Sequence, residues 1–493
     1  MQQDIQSIEV FRHKLGFPES TRQIMRRSIA HLATSVTALF FAVGCATHRP
    51  PSSAADDYLH AVMEKNQVPG VALAIVRDGK VEQLSAYGLA DLESGVEVGV
   101  ETSFQMASAT KVFTGTLVML LVQEGKLDLD APLSKYLSDA PEAWKAMTIR
   151  HLTAHASGLK DLSDEESSTA TVGERYEAAK KTALAYSPGE RSEYSLTDFV
   201  VLAHVLEKLT GERFEELLRS RIFQPLGFSC TRYEHARQEG GERFADVIPR
   251  RASLYRFVDG VPQRAWFLYP AHTYAAGGIF SCVKDLARWA VAMDQGTLLT
   301  PAMQQAGATP LKLNDGRVGG FGVAFAVSKL RGLQTFGHSG GGSLGDVLRI
   351  PEKKLTVLLL TNKQGLLPVL APNIASLLLP PSPELDEPGI ADTEPALTAT
   401  LRGVAEGVMN GTLDAAAFAP SAQEGLVPVL RGFGTPGSAL YPPVHRVVLL
   451  EDRKDGEPRK RVLRVVYGKD ISVKWTFSLD SAGKVLDLDY EWE

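Results

Sequence analysis

The chain has 493 residues, 44% of them hydrophobic and 22% charged, with a formal net charge of -6. That composition belongs to folded globular chains, and the length suggests two domains. The charge excludes the basic stripe of a nucleic-acid binder. The three cysteines make no disulfide framework and show no Cys/His spacing for zinc, so neither a metal nor another cofactor is expected.

In chain order, Arg22, Arg26 and Arg27 precede a mostly apolar run from Ile29 to Val43, closing on Ala42-Val43-Gly44-Cys45. The run is short for a bilayer span and suits the apolar part of a secretory signal. Small residues ahead of a cysteine resemble the bacterial lipoprotein signal, with Ala42 standing where leucine is usual. Residues 1–45 are therefore expected to be leader and signal, with Met25 as a second candidate start. Cys45 is the expected lipidation site, and 46–55, rich in Pro and Ser, a tether. A lipid there would hold an exported protein on the periplasmic face of a bacterial membrane without embedding its fold. Cys230 and Cys282 leave room for one disulfide, its pairing open.

A helix is expected over Asp56–Asn66, then a hairpin of Val71–Val76 and Lys80–Tyr87 around Asp78-Gly79. Gly345–Ile350 and Leu355–Thr361 form a second strand pair, separated from the first by a long, largely helical section. Strands at both ends with helices between predict an α+β domain over 56–380, its antiparallel sheet closed by distant segments. A proline-rich acidic linker follows over 381–393. In 394–493, Leu397, Leu401, Val404 and Val408 keep helical spacing. Val444–Leu450, Arg461–Tyr467, Ile471–Leu479 and Val485–Trp492 read as strands, predicting a small C-terminal α+β domain. Its pattern resembles the cone-shaped nuclear-transport-factor and ketosteroid-isomerase folds.

The chemistry begins with Ser-x-x-Lys. Residues three apart share a helix face, so a lysine amine can reach the serine hydroxyl, and burial would lower its pKa enough to make it a base. The spacing occurs four times. Ser481/Lys484 falls in an expected hairpin turn, Ser157/Lys160 contains a glycine, and Ser281/Lys284 heads an amphipathic helix, where Ser281 reads as an N-cap. Only Ser108/Lys111 heads a run apolar nearly all round, Val112-Phe113 and Leu117 to Val122, which predicts a central helix with a desolvated lysine.

Three further segments accompany this pair: Ile149 to Leu159, Tyr186 to Gly211, and Phe336-Gly337-His338-Ser339-Gly340-Gly341-Gly342. In that order, from about Asp56 to about Asn362, the chain resembles the serine β-lactamase and penicillin-binding-protein-like superfamily. The similar branch holds class C β-lactamases, DD-peptidases, D-aminopeptidases and esterases. The resemblance implies a β-lactamase/transpeptidase-like sheet with a mainly helical subdomain, and an acyl-enzyme on Ser108. It implies that Lys111 and Tyr194 share the proton work and that His338-Ser339-Gly340 lines the substrate on an edge strand. It also implies an oxyanion hole from the Ser108 and Gly341 N–H groups. A histidine at 338 would supply a weaker, titratable positive field than lysine.

One departure narrows the expectation. Leu196 stands where the family's Tyr-x-Asn motif has asparagine, and leucine can bond neither the lysine nor a substrate amide. Ester hydrolysis should suffer less than amide or β-lactam hydrolysis. The expected substrate is a small molecule or peptide: an ester, or an amide related to D-amino-acid cell-wall chemistry. A class C-like β-lactamase and a non-catalytic binding protein are the alternatives; the oligomeric state is open. Gly341-Gly342-Ser343-Leu344-Gly345 also fits a nucleophile elbow, but that elbow must join a strand to a helix and both flanks read as strands. His155 and the Ala276-Gly277-Gly278 turn read as scaffold.

Overall fold

The computed structural model describes residues 53–162, 170–239, 242–341, 344–366, 370–380, 388–433, 443–456, 458–468 and 471–492. Cys45 and the signal, Ser343 and residues 381–387 of the linker lie outside these. Residues 53–493 form one compact unit.

The strands in chain order are β1 (Gly70–Arg77), β2 (Lys80–Asp91), β3 (Val96–Glu97), β4 (Phe104–Gln105), β5 (Arg232–Tyr233), β6 (Ala236–Glu239) and β7 (Glu242–Ala245). Next come β8 (Leu254–Val258), β9 (Val261–Ala265), β10 (Ile279–Ser281), β11 (Ala326–Leu330), β12 (Leu333–Gly340), β13 (Gly345–Ile350) and β14 (Leu355–Thr361). The last four are β15 (Val444–Arg453), β16 (Arg459–Tyr467), β17 (Ile471–Leu479) and β18 (Val485–Trp492).

The first helix, Ala54–Asn66, opens on a reciprocal cap. The Ser53 hydroxyl accepts the Asp56 N–H at 3.2 Å, and the Asp56 carboxylate accepts the Ser53 N–H at 3.1 Å. Asp78 and Gly79 both take positive φ, 50° and 69°, as the tight turn between β1 and β2 demands. β1 is buried from Gly70 to Val76, as a strand covered on both faces must be. It pairs antiparallel with β14, Val71 opposite Thr361 and Leu73 opposite Leu359. The expected closure of the sheet by distant segments is therefore direct. The main sheet runs β15-β16-β17-β18-β11-β12-β13-β14-β1-β2-β3, and a smaller one runs β4-β10-β5.

Alternation along the central strands divides the core. Ala72, Ala74 and Val76 of β1, with Leu358 and Leu360 of β14, pack with the helical section. Val71, Leu73 and Ile75, with Val357 and Leu359, pack with helices Ala54–Asn66 and Leu370–Leu378 and with the C-terminal elements. On the first side lies helix Lys111–Gln123, buried at every position from Lys111 to Leu121. Phe113 meets the edges of Phe223, Phe228 and Trp289 there.

The C-terminal strands match their expected places, and β17 buries Val473, Trp475, Phe477 and Leu479 as the alternation predicted. They join the main sheet by one parallel pair, Leu330 opposite Trp492. Helix Pro395–Asn410 is as expected, whereas the sequence pattern assigns no element over Pro420–Phe433, a helix that holds Pro428 inside it. Ser281 is not an N-cap: it lies in β10, Cys282 is the cap residue of helix Val283–Gln295, and the Ser281 hydroxyl meets Thr231 Oγ1 at 2.8 Å.

Arg349 of β13 is enclosed and pairs with Asp294 at 2.7 Å, while Asp294 also accepts the Gly79 N–H at 2.8 Å. This pair ties β13, helix Val283–Gln295 and the β1–β2 turn together. Arg349→Met would strand the buried Asp294 charge and is expected to cost about 3–5 kcal/mol. Denaturant unfolding should show it as a lower midpoint at unchanged slope.

Candidate active site

A short 3-10 turn, Ala107–Thr110, carries Ser108 and runs straight into helix Lys111–Gln123. Ala107 takes φ 47°, a left-handed conformation costly for a residue with a Cβ, so the turn that presents Ser108 is strained. Two strands hold it in place. The Met106 N–H donates to the Ile279 carbonyl of β10 at 2.9 Å. Gly340, at the end of β12, approaches so closely that a Cβ there would lie 2.1 Å from the Met106 oxygen and 2.7 Å from the Ser108 nitrogen.

Tyr194 stands between the serine and the lysine. Its hydroxyl donates to Ser108 Oγ at 2.9 Å, and Lys111 Nζ donates to that hydroxyl at 2.6 Å and to the Ala276 carbonyl at 2.8 Å. The connection expected to run from lysine to serine along the helix thus passes through the phenol. Lys111 is fully buried, its ammonium 4.9 Å from the ring centres of both Tyr194 and Phe199. Desolvation pulls its pKa down from 10.5 to about 7, opposed in part by Asp161 and Asp198. Tyr194 keeps 43% of its exposure, yet desolvation pushes its phenol up to about 12. At neutral pH a half-neutral lysine therefore faces a protonated phenol.

His155 was read as scaffold, but its contacts converge on Tyr194. Its carbonyl accepts the Glu193 N–H at 2.8 Å and its Nδ1 the Ser195 N–H at 3.2 Å, the residues on either side of the tyrosine. Its ring lies 4.3 Å from the Tyr194 ring. Asp198 Oδ2 lies 3.1 Å from the same Nδ1, and the other oxygen accepts the Ser157 hydroxyl. Burial holds His155 well below and Asp198 well above their usual pKa values, so the pair is packed close to neutral. His155 has φ 56°, a second strained backbone at this site. Ser157, rejected as a nucleophile, belongs to this support.

The strand that carries His338 is not an edge strand. β12 lies between β11 and β13, and only its end, from His338 to Gly340, runs past its last β11 pair, Ala326 opposite Gly337. A second departure is the charge of His338. Burial, and then the Lys111 charge, lower its pKa to about 3, so its ring is neutral across ordinary pH and supplies no titratable positive field. Its Nδ1 lies 2.6 Å from the Ser339 carbonyl. The Ser339 hydroxyl donates to Asp346 at 2.5 Å, facing away from a substrate role. Gly341 takes φ 54° where the chain leaves β12. Ser343 lies outside the described residues, and its flanks are β12 and β13, strand to strand. Leu196 begins helix Leu196–Thr210, its N–H donating to Asp161 at 3.3 Å and its side chain packed against the helical core.

Ala276 entered the reading only through its glycine neighbours. Its carbonyl is a functional contact made by backbone, which no side-chain pattern reveals. Gly277 beside it admits the Tyr269 ring, which a Cβ would meet at 2.2 Å.

Residues 55–379 match the family model described as Beta-lactamase. Penicillin-binding protein 4 of Amycolatopsis lactamdurans is 30% identical over 324 residues, covering 61% of this chain and 83% of that protein. Among solved structures, the octameric penicillin-binding protein homologue from Pyrococcus abyssi is 23% identical with a TM-score of 0.58, covering 89% of this chain and 98% of that one. EstCE1, a hydrolase with promiscuous acyltransferase activity, is 21% identical with a TM-score of 0.54, covering 66% of this chain and 97% of that one.

The support around Tyr194 makes His155 testable. His155→Asn tolerates the left-handed backbone but removes the ring. It is expected to slow labelling of Ser108 by a fluorophosphonate about tenfold to a hundredfold at a temperature where the variant is folded, with the thermal midpoint lowered by the lost ring packing and the orphaned Asp198. Labelling at the wild-type rate would show that Tyr194 needs no such support.

Proposed function

Because the chain belongs to the beta-lactamase family, we propose that it is a serine hydrolase forming an acyl-enzyme on Ser108, with esters as its preferred substrates. The observation that carries this reading is the continuous chain from Ser108 through Tyr194 to a desolvated Lys111. With Lys111 neutral the two hydrogen bonds turn round, Ser108 donating to the Tyr194 oxygen and the phenol to the Lys111 lone pair. As Ser108 Oγ attacks a carbonyl, its proton passes to Tyr194 and the phenol proton to Lys111. Lys111 keeps one N–H on the Ala276 carbonyl, which aims its lone pair at Tyr194. The Ser108 and Gly341 N–H groups receive the negative charge developing on the carbonyl oxygen. The tetrahedral adduct collapses as the ester C–O bond breaks, and the leaving alkoxide takes a proton from the Lys111–Tyr194 pair. Water then attacks the acyl carbon and gives its proton to the same pair, and Ser108 Oγ leaves and takes that proton back.

Two departures favour esters. Leu196 offers no amide to clamp a substrate carboxamide, and neutral His338 offers no charge to a substrate carboxylate. An ester carbonyl is reactive enough to dispense with both. A second reading, hydrolysis of a D-amino-acid peptide or a β-lactam, is favoured by the likeness to penicillin-binding protein 4. The Cys45 motif extends the proposal to an exported enzyme tethered by lipid on the periplasmic face.

The test treats wild type and Ser108→Ala with a fluorophosphonate and a fluorescent penicillin. The expected outcome is Ser108-dependent fluorophosphonate labelling without penicillin labelling. Penicillin labelling at Ser108 would favour the second reading, and labelling that survives Ser108→Ala would refute the nucleophile. Reaction with neither probe would favour a binding protein. The proton path also sets a pH dependence. Lys111 must be neutral to accept, so kcat/KM on an ester should rise as pH increases through about 7 and level off above it. A limb near 10.5, the ordinary lysine value, would mean that burial does not lower the Lys111 pKa, and a rate unchanged by pH would mean that Lys111 is not the acceptor.

A further inference from the structure

Two cysteines meet at the end of the small sheet that supports the Ser108 turn. β10 pairs antiparallel with β5, Ile279 opposite Tyr233 and Phe280 opposite Arg232. Carried two residues further, that register sets Ser281 opposite Thr231 and Cys282 opposite Cys230. The 2.8 Å contact between the Ser281 and Thr231 hydroxyls shows the two segments still side by side. The two sulfurs lie within 4.8 Å of each other, both buried. Directly opposed antiparallel residues have Cα atoms about 4.5–5.5 Å apart, inside the range of about 4.4–6.8 Å that a disulfide spans.

Asp285 completes a trio that invites comparison with a metal site, yet its oxygens are already engaged. They accept the backbone N–H groups of Ser229, Cys230 and Thr231, the Thr231 hydroxyl and the Arg288 guanidinium. Asp285 thus fixes the strand end that carries Cys230, and what remains is a pair of facing thiols.

We propose that Cys230 and Cys282 are a disulfide-forming site, closed by thiol–disulfide exchange with a small disulfide such as oxidised glutathione while the chain folds. One cysteine thiolate attacks the oxidant's S–S bond, forming a mixed disulfide and releasing one glutathione thiol. The second cysteine thiolate attacks the mixed disulfide at the protein sulfur and releases the other. Two electrons pass to the oxidant, and the two cysteine protons end on the glutathione thiols. Burial places this reaction before the small sheet closes, and afterwards shields the bond from reductant. The bridge fastens β5 to β10. β10 in turn holds the Met106 N–H, and Ala276, three residues ahead of it, takes the Lys111 ammonium.

The full chain should be refolded with oxidised glutathione, denatured without reductant, and its thiols counted with a maleimide. Of the three cysteines, only Cys45 should react, and peptide mapping should find Cys230 and Cys282 joined. Reductant present during thermal unfolding, when the bond becomes accessible, should lower the midpoint by about 5 °C. In Cys230→Ser and Cys282→Ser that sensitivity to reductant should disappear. Three reactive thiols, or a bridge from Cys45 to either partner, would overturn the proposal. So would zinc protection of the two thiols that a chelator reverses. The thiol count is read on the wild-type chain and does not depend on either variant folding.

Discussion

Enclosing an ammonium group is the constraint on which the site is built. Moving the Lys111 pKa from 10.5 to about 7 corresponds to roughly 5 kcal/mol of folding free energy. The sign follows from the direction: above about pH 10.5 the lysine is neutral folded or unfolded, and the cost is absent. It grows as pH falls, because the unfolded chain takes up the proton first, and is complete below about 7. The surrounding core must supply this surplus, which explains why the lysine heads a helix buried from Lys111 to Leu121 rather than a surface helix. What the fold gains is a base usable at neutral pH.

The same low-dielectric enclosure decides the other charges. His338 shares the enclosure with Lys111 and stays neutral. Asp198 is pushed toward its protonated form, so it holds His155 by hydrogen bonding rather than as a counter-ion that would return Lys111 to its charged state. Had Asp198 ionised freely, the lysine would be a stronger base but charged at neutral pH and unable to accept a proton. The neutral support behind Tyr194 and the depressed lysine in front of it are one electrostatic arrangement. Two left-handed non-glycine residues, Ala107 and His155, mark where backbone strain was accepted to build it.

Much of this was legible in the sequence because it is written in periodicity. The apolar run behind Ser108 singled out one Ser-x-x-Lys among four, and the alternation of Val473, Trp475, Phe477 and Leu479 located β17 to the residue. The illegible parts lie where chemistry is carried by backbone or by context. The Ala276 carbonyl has no side-chain signature, and His155 looks like any loop histidine until its partners are seen. Ser281 has the composition of a cap but the register of a strand. His338 has a titratable side chain whose titration is removed by burial that no local pattern announces. The helix over Pro420–Phe433 holds a proline that the local rule counts against helices and tertiary packing overrides.

Three roles are open to a C-terminal region of this kind: shaping the cleft, binding a partner or adding stability. Strand alternation bears on that choice. Helix Lys111–Gln123 packs on the β1 face that carries Ala72, Ala74 and Val76, whereas Leu401, Val404, Trp475 and Phe477 pack in the cluster that carries Val71, Leu73 and Ile75. Successive side chains of a strand point to opposite faces, so the sheet itself separates the C-terminal core from the helix behind Ser108. Among the described residues, the packing of this region reaches the serine through the sheet. Its direct physical contribution is burial in the cluster it shares with helix Leu370–Leu378, which touches both β14 and β17, and that burial is added to a fold already carrying the cost of an enclosed lysine.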